Sequence, residues 1–174
     1  TTAEEFDRAL NQLNEQGMDK LILDLRGNSG GYLDAAIALA DEFLQDDQLI
    51  VYTQGRSRPK RFAYSTQDGD FEDRPLVLLI DEGSASASEI LAGAVQDNDR
   101  GIIVGRRSFG KGLVQEQLQL PDGSALRLTV ARYYTPTGRC IQRPYDGGVE
   151  QYERDFLQQI HGMRAGHPDS LDFP

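Results

Sequence analysis

Leu76-Val77-Leu78-Leu79-Ile80-Asp81-Glu82-Gly83-Ser84-Ala85-Ser86-Ala87-Ser88-Glu89 decides how this chain is read. The run Leu76–Ile80 is apolar throughout and short, which predicts a buried strand. Asp81-Glu82-Gly83 breaks the run. Ile90, Leu91, Ala94 and Val95 then recur at helical spacing. Three serines therefore sit where a strand turns into a helix N-terminus. Backbone N–H groups are unpaired there, and the helix dipole favours negative charge. A serine so placed can act as a nucleophile beside an oxyanion hole. It can equally be a cap: Ser86-x-x-Glu89 fits the capping box, and Ser84 fits an N-cap. The spacing does not choose among the three.

Composition narrows the chemistry. The length of 174 residues fits one domain with a substantial core. A net charge of −10 argues against a nucleic-acid partner, which needs clustered Lys and Arg. The one basic run, Arg56–Arg61 (RSRPKR), reads as a short solvated loop. No apolar run approaches the roughly 20 residues of a membrane-spanning helix. No signal peptide is evident, and the abrupt start at a helix suggests a domain excised from a longer protein. Cys140 is the sole cysteine, which leaves no internal disulfide and no cysteine zinc site. The two histidines, His161 and His167, both fall in the last fifteen residues. A Ser-His-Asp triad would have to recruit one of them from a C-terminal helix end or tail. If this chain does nucleophilic catalysis, its base is expected to be another residue.

Working outward, Thr2-x-x-Glu5 predicts a capping box, with Phe6, Leu10 and Leu13 on one helix face and Gly17 as the stop. Leu21–Leu25 is a strand ending in the glycine-rich turn Gly27–Gly31. Leu33–Leu44 is an amphipathic helix. Leu49–Tyr52 and Lys60–Thr66 are strands, the second weaker. Beyond the Ser86–Gln96 helix, Gly101–Gly105 is a short strand. Residues around Val114–Leu120 and Ala125–Tyr134 form a β-hairpin about Pro121-Asp122-Gly123. Arg139–Arg143 is a further short strand, and Glu150–Met163 a helix. Alternating helices and strands imply a layered α/β fold with much of the sheet parallel, and sites in such sheets gather at strand carboxyl ends.

Gly105-Arg106-Arg107-Ser108-Phe109-Gly110-Lys111-Gly112 nearly matches a phosphate loop. Gly112 stands where that loop has its Mg²⁺-binding hydroxyl, however, and a hairpin follows instead of a helix. Lys111 has another use. It is one of three lysines, with Lys20 and Lys60, and lies between glycines beside Phe109. Burial there would favour the neutral amine, which can take a proton from a serine hydroxyl. The plainer alternative is a surface lysine in a glycine turn. The Gly27–Gly31 turn lets backbone approach a ligand closely and offers N–H donors, though such turns are common.

Together LILDLRGNSGG (Leu21–Gly31), DEGSASASEILAGAVQDN (Asp81–Asn98) and GRRSFGKGLVQ (Gly105–Gln115) resemble the C-terminal processing peptidases, or tail-specific proteases, from about Thr1 to about Arg143. The resemblance implies a serine endopeptidase with a Ser–Lys dyad. It implies Ser86 as nucleophile, Lys111 as general base and Gln115 as the residue that orients the lysine. The N–H groups of Gly31 and Ala87 would form the oxyanion hole. The implied fold is a ClpP/crotonase-like spiral core, a layered sheet with flanking helices and a β-hairpin. The catalytic core is expected over residues 1–163, with residues 164–174 a tail or truncated segment. No metal or cofactor is implied. Partners would be protein or peptide substrates recognised at the C-terminus through an upstream PDZ domain, which this sequence does not contain. A homo-oligomer is compatible with the family. Family members are exported to the bacterial periplasm or cell envelope. The alternative from another class is a non-catalytic peptide- or lipophile-binding module on the same fold.

Overall fold

The computed structural model describes residues 1–66 and 69–164. The chain divides into two units, Thr1–Gln142 and Arg143–Pro174. The first contains α1 (Thr2–Glu15), β1 (Leu21–Asp24), α2 (Leu33–Asp41), β2 (Leu49–Gln54), β3 (Arg61–Tyr64), β4 (Leu76–Ile80), α3 (Ala87–Asp97), β5 (Ile102–Gly105), β6 (Leu113–Gln119) and β7 (Ala125–Tyr134). The second holds α4 (Gly148–Arg164). Within it Tyr145 stacks on Tyr152 at 4.7 Å, and the Arg143 guanidinium lies over the Tyr152 and Phe156 rings. Of the tail expected over 164–174, only Arg164 falls within the described residues, and His167 lies outside them.

The first unit is mixed α/β with two sheets and flanking helices. β1, β4 and β5 form a parallel sheet in the order β1-β4-β5. β2 and β3 do not join it. They pair with the hairpin in an antiparallel sheet of order β3-β2-β7-β6. Sequence alternation does not reveal this, because pairing depends on where the connections lead. The 55–60 loop folds β3 back on β2, and β7 then covers the other edge of β2.

α3 is at the centre. Every residue from Ser88 to Val95 is buried. Ile90, Leu91 and Val95 meet Phe43, Leu44, Ile50, Leu76 and Leu78 in one apolar core. Each such side chain stabilises by about 1.5–3 kcal/mol through burial. Phe43 sits between Phe6 and Phe71, edge-on to both. Nothing on α3 faces bulk water along its middle two turns, so its N-terminus is held rigidly.

Three boundaries differ from expectation. The α1 capping box uses Thr1 and Glu4, one residue earlier. The doublets Thr1-Thr2 and Glu4-Glu5 make both registers legible, and the Thr1 hydroxyl takes the Glu4 N–H. α2 stops at Asp41; Phe43 and Leu44 are fully buried in the turn that follows. The Arg139–Arg143 strand is reduced to one bridge, Tyr134 with Cys140. Gln142 leaves the ladder there to accept from the Gly112 N–H at 3.0 Å.

Candidate active site

β1 and β4 run parallel with Asp24 opposite Leu79, so their carboxyl ends lie level. The two loops that follow, 25–31 and 81–86, are therefore neighbours. They are laced together. The N–H groups of Gly27 and Gly83 both donate to Asp81 Oδ1, at 2.8 and 2.9 Å. Ser84, wholly buried, donates its hydroxyl to Leu25 O at 2.7 Å and accepts from the Asp81 N–H. The Ala85 N–H donates to Asn28 O at 3.0 Å, and the Ser88 hydroxyl is shared between Asn28 O and Oδ1.

These bonds sort the three serines. Ser84 and Ser88 tie loops together. Ser86 is the N-cap of α3 and alone has a left-handed backbone, φ 55° and ψ −113°. Such a conformation costs of order 1–3 kcal/mol in a non-glycine residue and collects at functional sites. A serine on a sharp strained turn between strand and helix is the geometry that presents a nucleophile.

Gly30 lies against this serine. Its φ is +82°, and a Cβ there would stand 2.3 Å from Ala85 O and 2.6 Å from Ala87 N. No other residue fits. This close approach sets the 30–31 backbone beside the Ser86–Ala87 peptide. The N–H groups of Gly31 and Ala87 have no protein acceptor among the described residues. Both are available to a ligand oxygen.

Lys111 reaches the site through its backbone. After β5 the chain returns along the serine loop, with the Phe109 N–H donating to Ser84 O at 2.9 Å. Glu89 then joins the two segments. It is only 7% exposed and accepts four hydrogen bonds. Oε2 takes the N–H groups of Ser86 and Lys111, both at 2.8 Å. Oε1 takes the Ser108 hydroxyl at 2.7 Å and the Gly110 N–H at 2.6 Å. One carboxylate oxygen thus holds the main chain of both expected dyad residues.

The side chains are less engaged. Lys111 is exposed, contrary to the expected burial beside Phe109; the chain turns just before it, at Gly110 with φ 88°. Gln115 is exposed on β6, immediately after a break in register at Val114/Gln115. Such a bulge re-aims side chains. Ser86, Lys111 and Gln115 make no side-chain hydrogen bond to one another in this chain. Contacts of this kind often tighten only when substrate is bound.

Sequence reasoning missed the braces beneath the loops. Arg26 grips Asp24 with bonds of 2.7–3.2 Å, which with the Arg26 N–H holds the Asp24 carboxyl down at about 2. Arg106 donates to Glu82 at 2.7 Å and lies 3.7 Å from Asp81. Partial burial pushes Asp81 up, but the Gly27 and Gly83 N–H groups and the Arg106 charge outweigh it and leave the carboxyl below its usual range. Only the spacing Asp24-x-Arg26 offered a signal for this cluster. Glu89 was legible as a capping-box residue but not as a link to residues 108–111. Among the described residues no group of His, Cys, Asp and Glu is arranged to hold a metal ion. The near-match to a phosphate loop is followed by β6, so no helix N-terminus faces a phosphate there.

A strand–turn–helix serine, a glycine backbone lying on it and a lysine loop tied to it thus meet at the carboxyl ends of β1 and β4. Comparison with known proteins places the chain. The sequence model of peptidase family S41 matches residues 1–151, and the chain belongs to that family. It is 49% identical over 139 residues to a carboxyl-terminal-processing protease of a Picosynechococcus species, covering 80% of this chain and 33% of that protein. It is 39% identical over 142 residues to the carboxy-terminal processing protease CtpB of Bacillus subtilis, covering 82% and 29%. Among solved structures it resembles the photosystem II D1 C-terminal processing protease, with a TM-score of 0.74 and 41% identity over 81% of this chain and 36% of that one. The chain spans about a third of the length of the curated relatives it matches.

Proposed function

We propose that the chain is the catalytic core of a serine endopeptidase that works through a Ser86–Lys111 dyad. Ser86 Oγ attacks the scissile carbonyl while the unprotonated form of the Lys111 amine takes its proton. The N–H groups of Gly31 and Ala87 bind the oxyanion that forms. Lys111 returns the proton to the leaving amine, which departs and leaves an acyl ester on Ser86. Lys111 then takes a proton from water, the hydroxide attacks the ester carbonyl, and the bond to Ser86 Oγ breaks as Lys111 returns the proton to that oxygen, which frees the acid. Gln115 orients Lys111. The observation that carries this reading is the shared Glu89 oxygen, which fixes the strained Ser86 and the Lys111 loop together. Its substrates are proteins or peptides, delivered at the C-terminus by a PDZ domain elsewhere in the parent protein, with residues 1–163 as the core.

The exposure of Lys111, with no hydrogen bond to Ser86, favours a second reading: a binding module with an idle dyad. A fluorophosphonate probe separates the two. An active dyad gives a covalent adduct; an idle one leaves the chain unlabelled, and that outcome removes the protease reading.

A further inference from the structure

A cavity of about 280 Å³ opens between α2 and the sheet of β2, β3, β6 and β7. Its floor is apolar: Leu33, Ile37, Val51 and Val114. Leu33 is two residues beyond Gly31, and Val114 adjoins Gln115. A peptide bound across Ser86 would therefore have a side chain beside this floor. The rim carries two guanidinium groups, Arg58 and Arg61. Both belong to the basic run Arg56–Arg61, which the dyad does not use. Arg58 is paired with Glu116 at 2.5 Å. Arg61 makes no salt bridge among the described residues. A second, open cleft of about 510 Å³ shares Val130 and Ala131 with the first, and Arg56 and Arg132 line it without any acidic residue. Arg58, Arg61 and Glu116 thus border the cavity, and Arg56 and Arg132 line the cleft beside it, on a chain whose net charge is −10. A cationic rim in such a chain is a local inversion of the field and raises the concentration of anionic groups there. Guanidinium matches carboxylate geometry with two parallel donors.

We propose that this rim reads a carboxylate on the peptide substrate, next to an apolar residue held in the cavity, with Arg61 as the principal reader. The carboxylate is that of an Asp or Glu side chain, or the free end of the peptide. The inference rests on the protease reading only for the identity of the ligand as a substrate. Arg61 is the free cation; Arg58 is already neutralised in part by Glu116. Anionic lipid headgroups would also suit arginines, but the apolar cavity they border is sized for one side chain and has Leu33, two residues beyond Gly31, on its floor, which favours a peptide.

The test is equilibrium binding of fluorescein-labelled hexapeptides to the chain carrying Ser86→Ala, so that nothing is turned over. Three peptides contain Leu-Glu with an amidated end, Leu-Gln with an amidated end, and Leu-Gln ending in a free carboxylate. At least one carboxylate peptide should bind tenfold or more tightly than the amidated Leu-Gln peptide. Which one does so identifies the carboxylate. Arg61→Gln should abolish that preference, and Arg61→Glu should transfer it to a Leu-Lys peptide, with circular dichroism unchanged. Equal binding of all three peptides, no binding at all, or a preference that survives Arg61→Gln overturns the proposal. So does Arg61-dependent sedimentation with phosphatidylglycerol vesicles in the absence of peptide discrimination, which would assign the rim to a membrane surface. Fluorophosphonate labelling of the Ser86 form is read separately. A carboxylate preference without labelling removes the protease reading and keeps the recognition.

Discussion

Replacing Glu89 by Gln tests the joint between the two halves of the site. Glutamine keeps the volume but supplies one acceptor oxygen in place of two. If its NH₂ replaced Oε2, the Ser86 and Lys111 N–H groups would both lose their acceptor. If it replaced Oε1, the Ser108 hydroxyl could rotate to accept, and only the Gly110 N–H would be orphaned. The second orientation wins. One buried unsatisfied donor costs about 1–3 kcal/mol, and the two remaining N–H bonds weaken by roughly 1 kcal/mol each on losing a charged acceptor. Burying an amide rather than a carboxylate offsets part of this. The net expectation is about 2–3 kcal/mol, or about 5–10 °C in Tm for a chain of this size. Glu89→Ala would orphan four donors and approach the whole stability of about 5–15 kcal/mol, so it is the poorer probe. Urea denaturation gives the stability, and the rate of fluorophosphonate labelling reports the alignment of Ser86 with Lys111. Glu89→Gln should label at least tenfold more slowly. A variant within 0.5 kcal/mol of the parent that labels at the parent's rate would refute the joint.

Ser86→Gly should remove labelling yet leave stability equal or higher, because glycine adopts φ 55° without strain. Ser84→Ala should do the reverse, retaining a reactive Ser86 while costing about 1–3 kcal/mol through its lost bonds to Leu25 and Asp81; equilibrium unfolding of both variants checks the pair. Asp24, Asp81 and Glu82 are held below their ordinary values. Their contribution to stability is present above the unfolded carboxylate range of about 4 and is lost as pH falls through the folded values, which for Asp24 means from about pH 4 to about 2. An NMR titration of the Asp24 carboxyl should find its midpoint near 2 and Arg26→Gln should raise it; a midpoint of about 4 in the parent would show that the Arg26 grip is absent in solution.

The apolar run Leu76–Ile80 and the helical spacing after it were legible because both are local. The strand matches its expected bounds, and α3 differs from expectation by one residue at each end. Sheet membership was not legible. β2 and β3 read like any half-buried strands, and nothing local says that β2 pairs with β7, as Gln54 does with Arg132. At the site, the serine cluster and the lysine loop stood out as residue types in special turns. Their mutual placement depends on Glu89, Ser84 and Asn28, whose roles are set by bonds across 19 to 60 residues. A capping box accounts for Glu89 within its own helix, and that local account concealed the bonds it makes to residues 108–111. The exposure of Lys111 was misread for a related reason: an apolar strand before a glycine turn says nothing of which way the turn faces.

The central claim is that Lys111 deprotonates Ser86. Lys111→Arg tests it most directly, because guanidinium keeps the charge but stays protonated and cannot accept a proton. The measurement is the rate of covalent modification of Ser86 by a fluorophosphonate, located by mass spectrometry, in Lys111 and Lys111→Arg forms of equal thermal stability. The account predicts an adduct on Ser86 in the parent and a loss of at least a hundredfold in rate in the variant, within the range that a positioned general base contributes. Labelling of Ser86 at a rate within tenfold of the parent, or an adduct on Ser84 or Ser88 instead, would contradict it.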